Sequence, residues 1–365
     1  MQKTVLCVDD DKEYQTLLPQ ILAKMGYESV IADTGPKAVE LARKKNFDLI
    51  LLDVTLPKMD GFRVLEEIRK DGYSRQTPIV FVTAHSEKAN VANAIKVGAA
   101  DYIVKPFDTG MFLHKVSRFI NMKVEAEWHK LKPEQEQVLS LTLATLDKAF
   151  DAIQKNGQLP YAEFMDVSGK LAEVIERGDV KGVLDAVKDH DAYTFVHSMR
   201  VGIFLSLLTK QFGGFSPQDV QILTTGGTVH DVGKAKTPLK VLNKPGKFEP
   251  EEWLEMQNHV IYTYEMLRRT PDVPESVIEI AWNHHERIDG SGYPRHLKGI
   301  ELGMLSRMAA ICDVYVALTD RRVYKPGYSP EQAIGMMRDP NHLDQTLLAD
   351  FTTIIEDLYR MKIPF

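Results

Sequence analysis

The sequence predicts a multidomain protein: an α/β domain on a doubly wound, five-stranded parallel sheet, then an all-α domain, joined by a helical linker. Three observations predict it. Over about the first 120 residues, five short apolar runs alternate with amphipathic segments. A stretch rich in Glu, Lys, Leu and Ala follows. Beyond Asp191, helical patterns are separated by Gly/Pro loops without strand alternation. At 365 residues the chain is long enough for each domain to bury its own core.

The apolar runs are Thr4–Val8, Glu28–Ala32, Asp48–Leu52, Ile79–Thr83 and Asp101–Val104. Between them, segments such as Tyr14–Met25 and Gly35–Lys45 repeat apolar residues at intervals of three and four, the helical period. Strands alternating with helices imply a parallel sheet covered on both faces. From about Met122 to Lys188 the composition changes, with interruptions at Pro133 and from Asn156 to Pro160. Leu139, Leu143, Leu146, Phe150 and Ile153 step by four and three in turn, a heptad seam two repeats long. It fits a dimer coiled coil or an amphipathic helix packed on its own domain. The expected boundaries are 1–122 for the first domain, 123–160 for the linker and 161–365 for the second domain.

A net charge of −6 excludes a broadly basic surface that coats nucleic acid, so no DNA partner is expected. Phosphate binding must come from local groups of Lys and Arg. The two cysteines, Cys7 and Cys312, each sit in an apolar run, which fits a reducing compartment without disulfides. The N-terminus carries Asp9, Asp10 and Asp11 and does not read as a signal peptide. No stretch approaches the roughly 20 apolar residues that span a bilayer. A cytoplasmic protein without membrane association is expected.

In a parallel α/β sheet, functional side chains gather where the strands end. The ends of successive predicted strands carry Asp9 and Asp10, then Asp53, Thr83 and Lys105. Three carboxylates converging on one edge repel each other unless a cation lies among them, and hard oxygen ligands suit Mg²⁺. Asp53 can then act as a nucleophile toward a phosphoryl group, with Thr83 and Lys105 binding its oxygens. The motifs VDDD at 8–11, LLDVTLPKMDG at 51–61, VTAH at 82–85 and DYIVKPF at 101–107 resemble those of a response-regulator receiver domain. The resemblance implies that Asp53 is the phosphoacceptor, that Asp9 and Asp10 form the acidic Mg²⁺ pocket, and that Thr83 and Tyr102 are a switch pair. It also implies a cis Lys105-Pro106 bond and a cognate sensor histidine kinase.

A second constellation comprises His197, His230-Asp231, His259, His284-His285 and Asp313. Imidazoles and carboxylates without sulfur fit Fe, Mn, Ni or Zn better than Mg²⁺. Seven candidate ligands exceed what one ion needs, and a carboxylate such as Asp231 can bridge two. The glycine of His230-Asp231-Val232-Gly233-Lys234 is expected to let backbone and lysine approach an anion. The runs HSMRV at 197–201, HDVGK at 230–234, LNKPGKF at 242–248, HHERIDGSGYP at 284–294 and CDVYVALTDRRVYKP at 312–326 are similar to those of the HD-GYP domain, a subgroup of the HD phosphohydrolases.

That resemblance implies an all-α, metal-dependent phosphodiesterase that cuts cyclic di-GMP through a metal-bound hydroxide, usually with iron or manganese. His197, His230, Asp231, His259, His284, His285 and Asp313 would be the ligands of two ions, with Asp231 and Lys234 catalytic. Lys234, Arg322 and Lys325 would bind substrate phosphates. A homodimer and a GGDEF-type partner protein are further implied partners. Val316 stands where relatives commonly carry an aspartate, and a valine cannot hydrogen-bond a base. Tyr193 stands where three-metal relatives carry a glutamate. The alternative function is a nucleotide sensor or scaffold without turnover, and a hybrid cyclic GMP-AMP is the alternative substrate.

Overall fold

Strands β1 (Thr4–Val8), β2 (Glu28–Ala32), β3 (Leu49–Leu52), β4 (Ile79–Thr83) and β5 (Asp101–Val104) form one parallel sheet in the order β2-β1-β3-β4-β5. The computed structural model describes residues 3–363 except 71, 85–93, 95, 108, 189, 191–192, 243, 245 and 321–326. Alternate strand residues point to opposite faces, so each apolar run supplies both. Leu6, Val8, Ile50, Leu52 and Phe81 meet Ala38, Val64, Leu65 and Ile68 from the helices Gly35–Lys44 and Gly61–Lys70. On the other face, Val5, Cys7, Leu49, Leu51 and Val80 meet Leu18, Leu22, Phe112 and Val116 from the helices Lys12–Lys24 and Thr109–Glu125. The strand order reverses direction between β1 and β3, which opens a cleft beyond their C-terminal ends.

The chain divides into two compact units, Met1–Glu127 and Trp128–Phe365. Among the described residues the second unit is helical, with one isolated bridge between Asp289 and Lys298. The segment expected as a linker, 123–160, contains the helix Pro133–Asn156. Val138, Leu139, Leu146, Ala149 and Ile153 of that helix are buried in the core of the second unit, and Leu143 and Phe150 pack against it. The seam is thus occupied within its own chain, the second of the two arrangements its spacing allows. Leu139→Ala should destabilise the second unit by about 2–5 kcal/mol without changing association state. Thermal unfolding and sedimentation together check this; a change in association with unaltered melting would assign the seam to a dimer. Among the described residues no helix is long and apolar enough to cross a membrane.

Candidate functional sites

The predicted strand-end residues of the first unit meet at one edge. Asp9 follows β1, Asp53 follows β3, Thr83 closes β4 and Lys105 follows β5. The Lys105 ammonium donates to Asp9 Oδ2 at 2.6 Å and to Asp53 Oδ2 at 2.7 Å, and lies 4.0 Å from the centre of the Tyr14 ring. The remaining oxygens are held by backbone: Thr55 N donates to Asp53 Oδ1 and Asp11 N to Asp9 Oδ1, both at 3.1 Å. Burial pushes the Asp9 carboxyl above its usual range, and Lys105 opposes the shift. Burial works against the Lys105 ammonium too, but its bonds to Asp53 and Asp9 outweigh this and raise its pKa.

Asp10, Thr83 and Lys105 line the cleft, of about 470 Å³, together with Asp53. Asp9 and Asp53 share one ammonium there, and Asp10 adds a third carboxylate to the cleft. That excess of negative charge suits a hard divalent cation. The Lys105-Pro106 bond is cis, as expected. Tyr102 is buried beside Phe81, ring centres 6.2 Å apart, on the face that packs against Val64 and Ile68.

In the second unit, residues spread from His197 to Asp313 converge. His197 lies in the helix Tyr193–Phe212, and His230 caps Pro217–Val229. His259 lies in Pro250–Arg269, His284 caps Glu275–Asn283, and Asp313 lies in Met304–Thr319. They form two groups, each with ligand atoms within 4.8 Å of one another: Asp231, His259, His284 and His285, and then His197, His230 and Asp313. Asp231 joins them. Its Oδ2 lies 3.4 Å from His230 Nε2 and 3.5 Å from His197 Nε2. Its Oδ1 lies 3.1 Å from His259 Nε2 and 3.9 Å from His284 Nε2. Asp313 Oδ1 is 3.1 Å from His197 Nε2, and its Oδ2 is 3.4 Å from His285 Nδ1.

The imidazoles are aimed by their other nitrogens. His230 Nδ1 pairs with the Gly227 carbonyl at 2.7 Å, His259 Nδ1 with Met256 at 2.5 Å and His284 Nδ1 with Ala281 at 2.9 Å. Each carbonyl lies three residues back, so the local helical geometry makes Nδ1 the donor and leaves the Nε2 lone pair pointing inward. His230 Nε2, Asp231 Oδ1, His259 Nε2 and His284 Nε2 are buried without a hydrogen-bond partner. Four buried polar atoms without partners, all converging, would be costly in a site built for nothing. Divalent ions that take nitrogen and oxygen ligands would satisfy all four.

The charge states agree. Burial opposes ionisation of Asp231, but the Lys234 ammonium holds its carboxyl well below the usual range. Burial likewise opposes Asp313, and His285 and His197 hold it low. Burial, reinforced by His230, pulls His284 down to about 3, and burial with His284 lowers His285 well below its ordinary value. Ionised carboxylates beside the neutral imidazoles of His284 and His285 suit cation binding.

Gly233 has a packing role that its motif did not suggest. A Cβ on it would lie 2.1 Å from the His259 carbonyl, and its N–H donates to Thr263 Oγ1 at 2.9 Å. Glycine is required here because the backbone after Asp231 presses on the helix that carries His259. Lys234 still reaches inward, hydrogen-bonded to Asp231 Oδ2. Val316 is fully buried in the helical core. Arg322 and Lys325 lie outside the described residues, as does the side chain of Tyr193.

Two supports escaped sequence reasoning. Asp320 Oδ2 accepts from His197 Nδ1 at 3.1 Å, and Arg200 binds its other oxygen while donating to Thr319 Oγ1 at 2.9 Å. The only signal was an aspartate a few residues past Asp313. Asp320→Asn should weaken divalent-cation affinity about 10- to 100-fold, read by competition with a chromogenic chelator; unchanged affinity would leave Asp320 a packing residue. Glu286, fully buried, accepts from Arg295 N at 2.6 Å and Leu297 N at 3.1 Å. It folds the Asp289–Pro294 loop back so tightly that a Cβ on Gly292 would lie 2.4 Å from the Arg287 nitrogen. Tyr293 then lies against His285, ring centres 4.7 Å apart.

A family model described as the response regulator receiver domain matches residues 5–117, and one described as the HD domain matches residues 206–347. A Thermotoga maritima protein named cyclic di-GMP phosphodiesterase is 31% identical over 332 residues, covering 90% of this chain and 84% of that protein. The chain belongs to the receiver–HD family of response regulators. Xanthomonas campestris has a relative of this response regulator, named cyclic di-GMP phosphodiesterase response regulator RpfG, that is 28% identical over 94% of this chain and 86% of that protein. A Vibrio cholerae protein named 3'3'-cGAMP-specific phosphodiesterase 1 is 41% identical over 150 residues, covering 40% of this chain and 33% of that protein. The response regulator is thus a two-part molecule, a receiver followed by the HD domain of a metal-dependent hydrolase.

Proposed function

We propose that this response regulator hydrolyses a phosphodiester bond of cyclic di-GMP at the histidine–aspartate centre, under control of phosphorylation at Asp53. The observation that carries the reading is the position of Asp231, whose two oxygens face two separate sets of imidazoles. His197, His230 and Asp313 would hold one ion and His259, His284 and His285 the other, with Asp231 between them. The donor set suits iron or manganese. Two such ions supply a clamp on phosphate oxygens and an activated water.

The chain's own residues do the rest. Lys234 places a fixed ammonium beside Asp231, where it offsets charge on a phosphate oxygen. Burial of His230, Asp231, His259 and His284 keeps bulk water away, which strengthens each electrostatic contact. Burial holds the Tyr293 phenol far above its ordinary pKa, so it stays neutral beside Asp313 and Asp231 and can donate a hydrogen bond. Arg322 and Lys325 are assigned to the substrate phosphates. Val316, sealed in the core, leaves base recognition to other side chains.

In the receiver, Asp53 accepts the phosphoryl group from a sensor histidine kinase, Asp9 and Asp10 hold Mg²⁺, and Thr83 with Tyr102 responds. A homodimer and a GGDEF-type partner complete the proposed assembly. A hybrid cyclic GMP-AMP is the second candidate substrate, favoured by the relative of that specificity that is 41% identical over 150 residues. The test is anaerobic hydrolysis of both dinucleotides with Fe or Mn, products separated by chromatography. Cleavage with cyclic di-GMP preferred supports the reading. Binding without cleavage under every metal condition would make the domain a sensor.

A further inference from the structure

A line of aromatic rings leads away from the histidine–aspartate centre. The His285 imidazole meets Tyr293 at 4.7 Å and 31° between planes. Tyr293 meets Trp253 at 5.9 Å and 78°, and Trp253 meets Phe248 at 6.1 Å and 29°. The three contacts join segments far apart in sequence, the Asp289–Pro294 loop and the start of the helix Pro250–Arg269. Trp253 ends up two ring contacts from His285 with 46% of its surface open.

An exposed tryptophan alone means little. Trp253 differs in being held on two sides by rings while nearly half of it stays open, beside the proposed phosphodiesterase centre. Trp282 offers a contrast: Tyr264 lies 3.4 Å from its ring centre and the Arg295 guanidinium 4.7 Å away, so it is already covered. A nucleobase stands one ribose away from its phosphate, a separation of the same order as two ring contacts. With a phosphodiester at the Asp231 centre, an adjoining purine would extend along the rings of Tyr293 and Trp253. Stacking on an indole needs no hydrogen bond to the base edge, which fits a site where Val316 offers none.

We propose that Trp253, backed by Phe248 and Tyr293, is the stacking platform for one purine of the dinucleotide substrate. The proposal rests on the reading that this centre cleaves a cyclic dinucleotide, and it names a specificity-determining residue for that reaction. Stacking acts on ground state and transition state alike, so its loss falls on KM and leaves kcat nearly unchanged.

The experiment compares full-length wild type, Trp253→Ala and Trp253→Phe, each loaded anaerobically with Mn or Fe. Trp253→Ala should raise KM for cyclic di-GMP about 5- to 150-fold, the range for one lost base stack, and Trp253→Phe should restore most of the loss. Cleavage of methyl p-nitrophenyl phosphate, a diester without a purine, should be equal in all three. Cyclic di-GMP should also quench tryptophan fluorescence in wild type and not in Trp253→Phe. An unchanged KM in Trp253→Ala overturns the proposal, as does a Phe variant no better than Ala. Loss of the simple diester in step with the dinucleotide also overturns it, by making Trp253 structural. If wild type cleaves the simple diester but neither binds nor cleaves a cyclic dinucleotide, the substrate reading fails and the platform with it.

Discussion

Replacing Asp231 with asparagine is expected to slow cyclic dinucleotide hydrolysis about 10³-fold or more, about 4 kcal/mol of transition-state stabilisation, while helix content is retained. The expectation follows from one carboxylate serving two sets of imidazoles. Asparagine keeps the shape and one acceptor oxygen but loses the charge, and its amide cannot bridge two cations as a carboxylate does. Lys234, which binds Asp231 Oδ2, would then lose that ion pair. The surrounding helices do not depend on that charge: Gly227, Met256 and Ala281 carbonyls orient the imidazoles locally. Initial rates and circular dichroism on the same preparations check both halves. Turnover within tenfold of wild type would remove Asp231 from the chemistry.

Asp53→Asn is expected to abolish phosphoryl uptake from acetyl phosphate or a kinase, and with it any phosphorylation-dependent change in turnover. Asp53 and Asp9 compete for the single ammonium of Lys105. A phosphoryl group on Asp53 adds about two negative charges and draws that ammonium toward itself. Thr83, closing β4, and Tyr102, buried beside Phe81, lie on the strands nearest that redistribution. Asparagine preserves an acceptor for Lys105, so the domain folds but has no nucleophile. Label retained on the variant would place the phosphoacceptor elsewhere. Equal turnover of wild type with and without beryllofluoride would sever the receiver from the hydrolase.

The receiver was readable because a parallel sheet converts sequence position into place: every strand end falls on one edge, so Asp9, Asp53, Thr83 and Lys105 had to meet. The second centre was readable as a set of residue types through the motifs that resemble the HD-GYP domain. How they are divided was not. Which oxygen of Asp231 faces which histidine depends on how five helices pack. The Asp320–His197 pairing joins residues over a hundred positions apart, and no periodicity reports such a contact. The packing role of Gly233 was hidden because a close approach to another helix and a close approach to a ligand call for the same residue. The heptad seam at Leu139–Ile153 was ambiguous for a similar reason: two repeats show that a face is apolar but not what covers it.

Two cations sharing Asp231 are the premise of the proposed hydrolysis. Metal analysis of anaerobically purified protein, per chain and by element, tests it most directly. About two transition-metal ions per chain are predicted in wild type, with a clear loss in Asp231→Asn. Full hydrolytic turnover by a protein that carries one ion or none would contradict it.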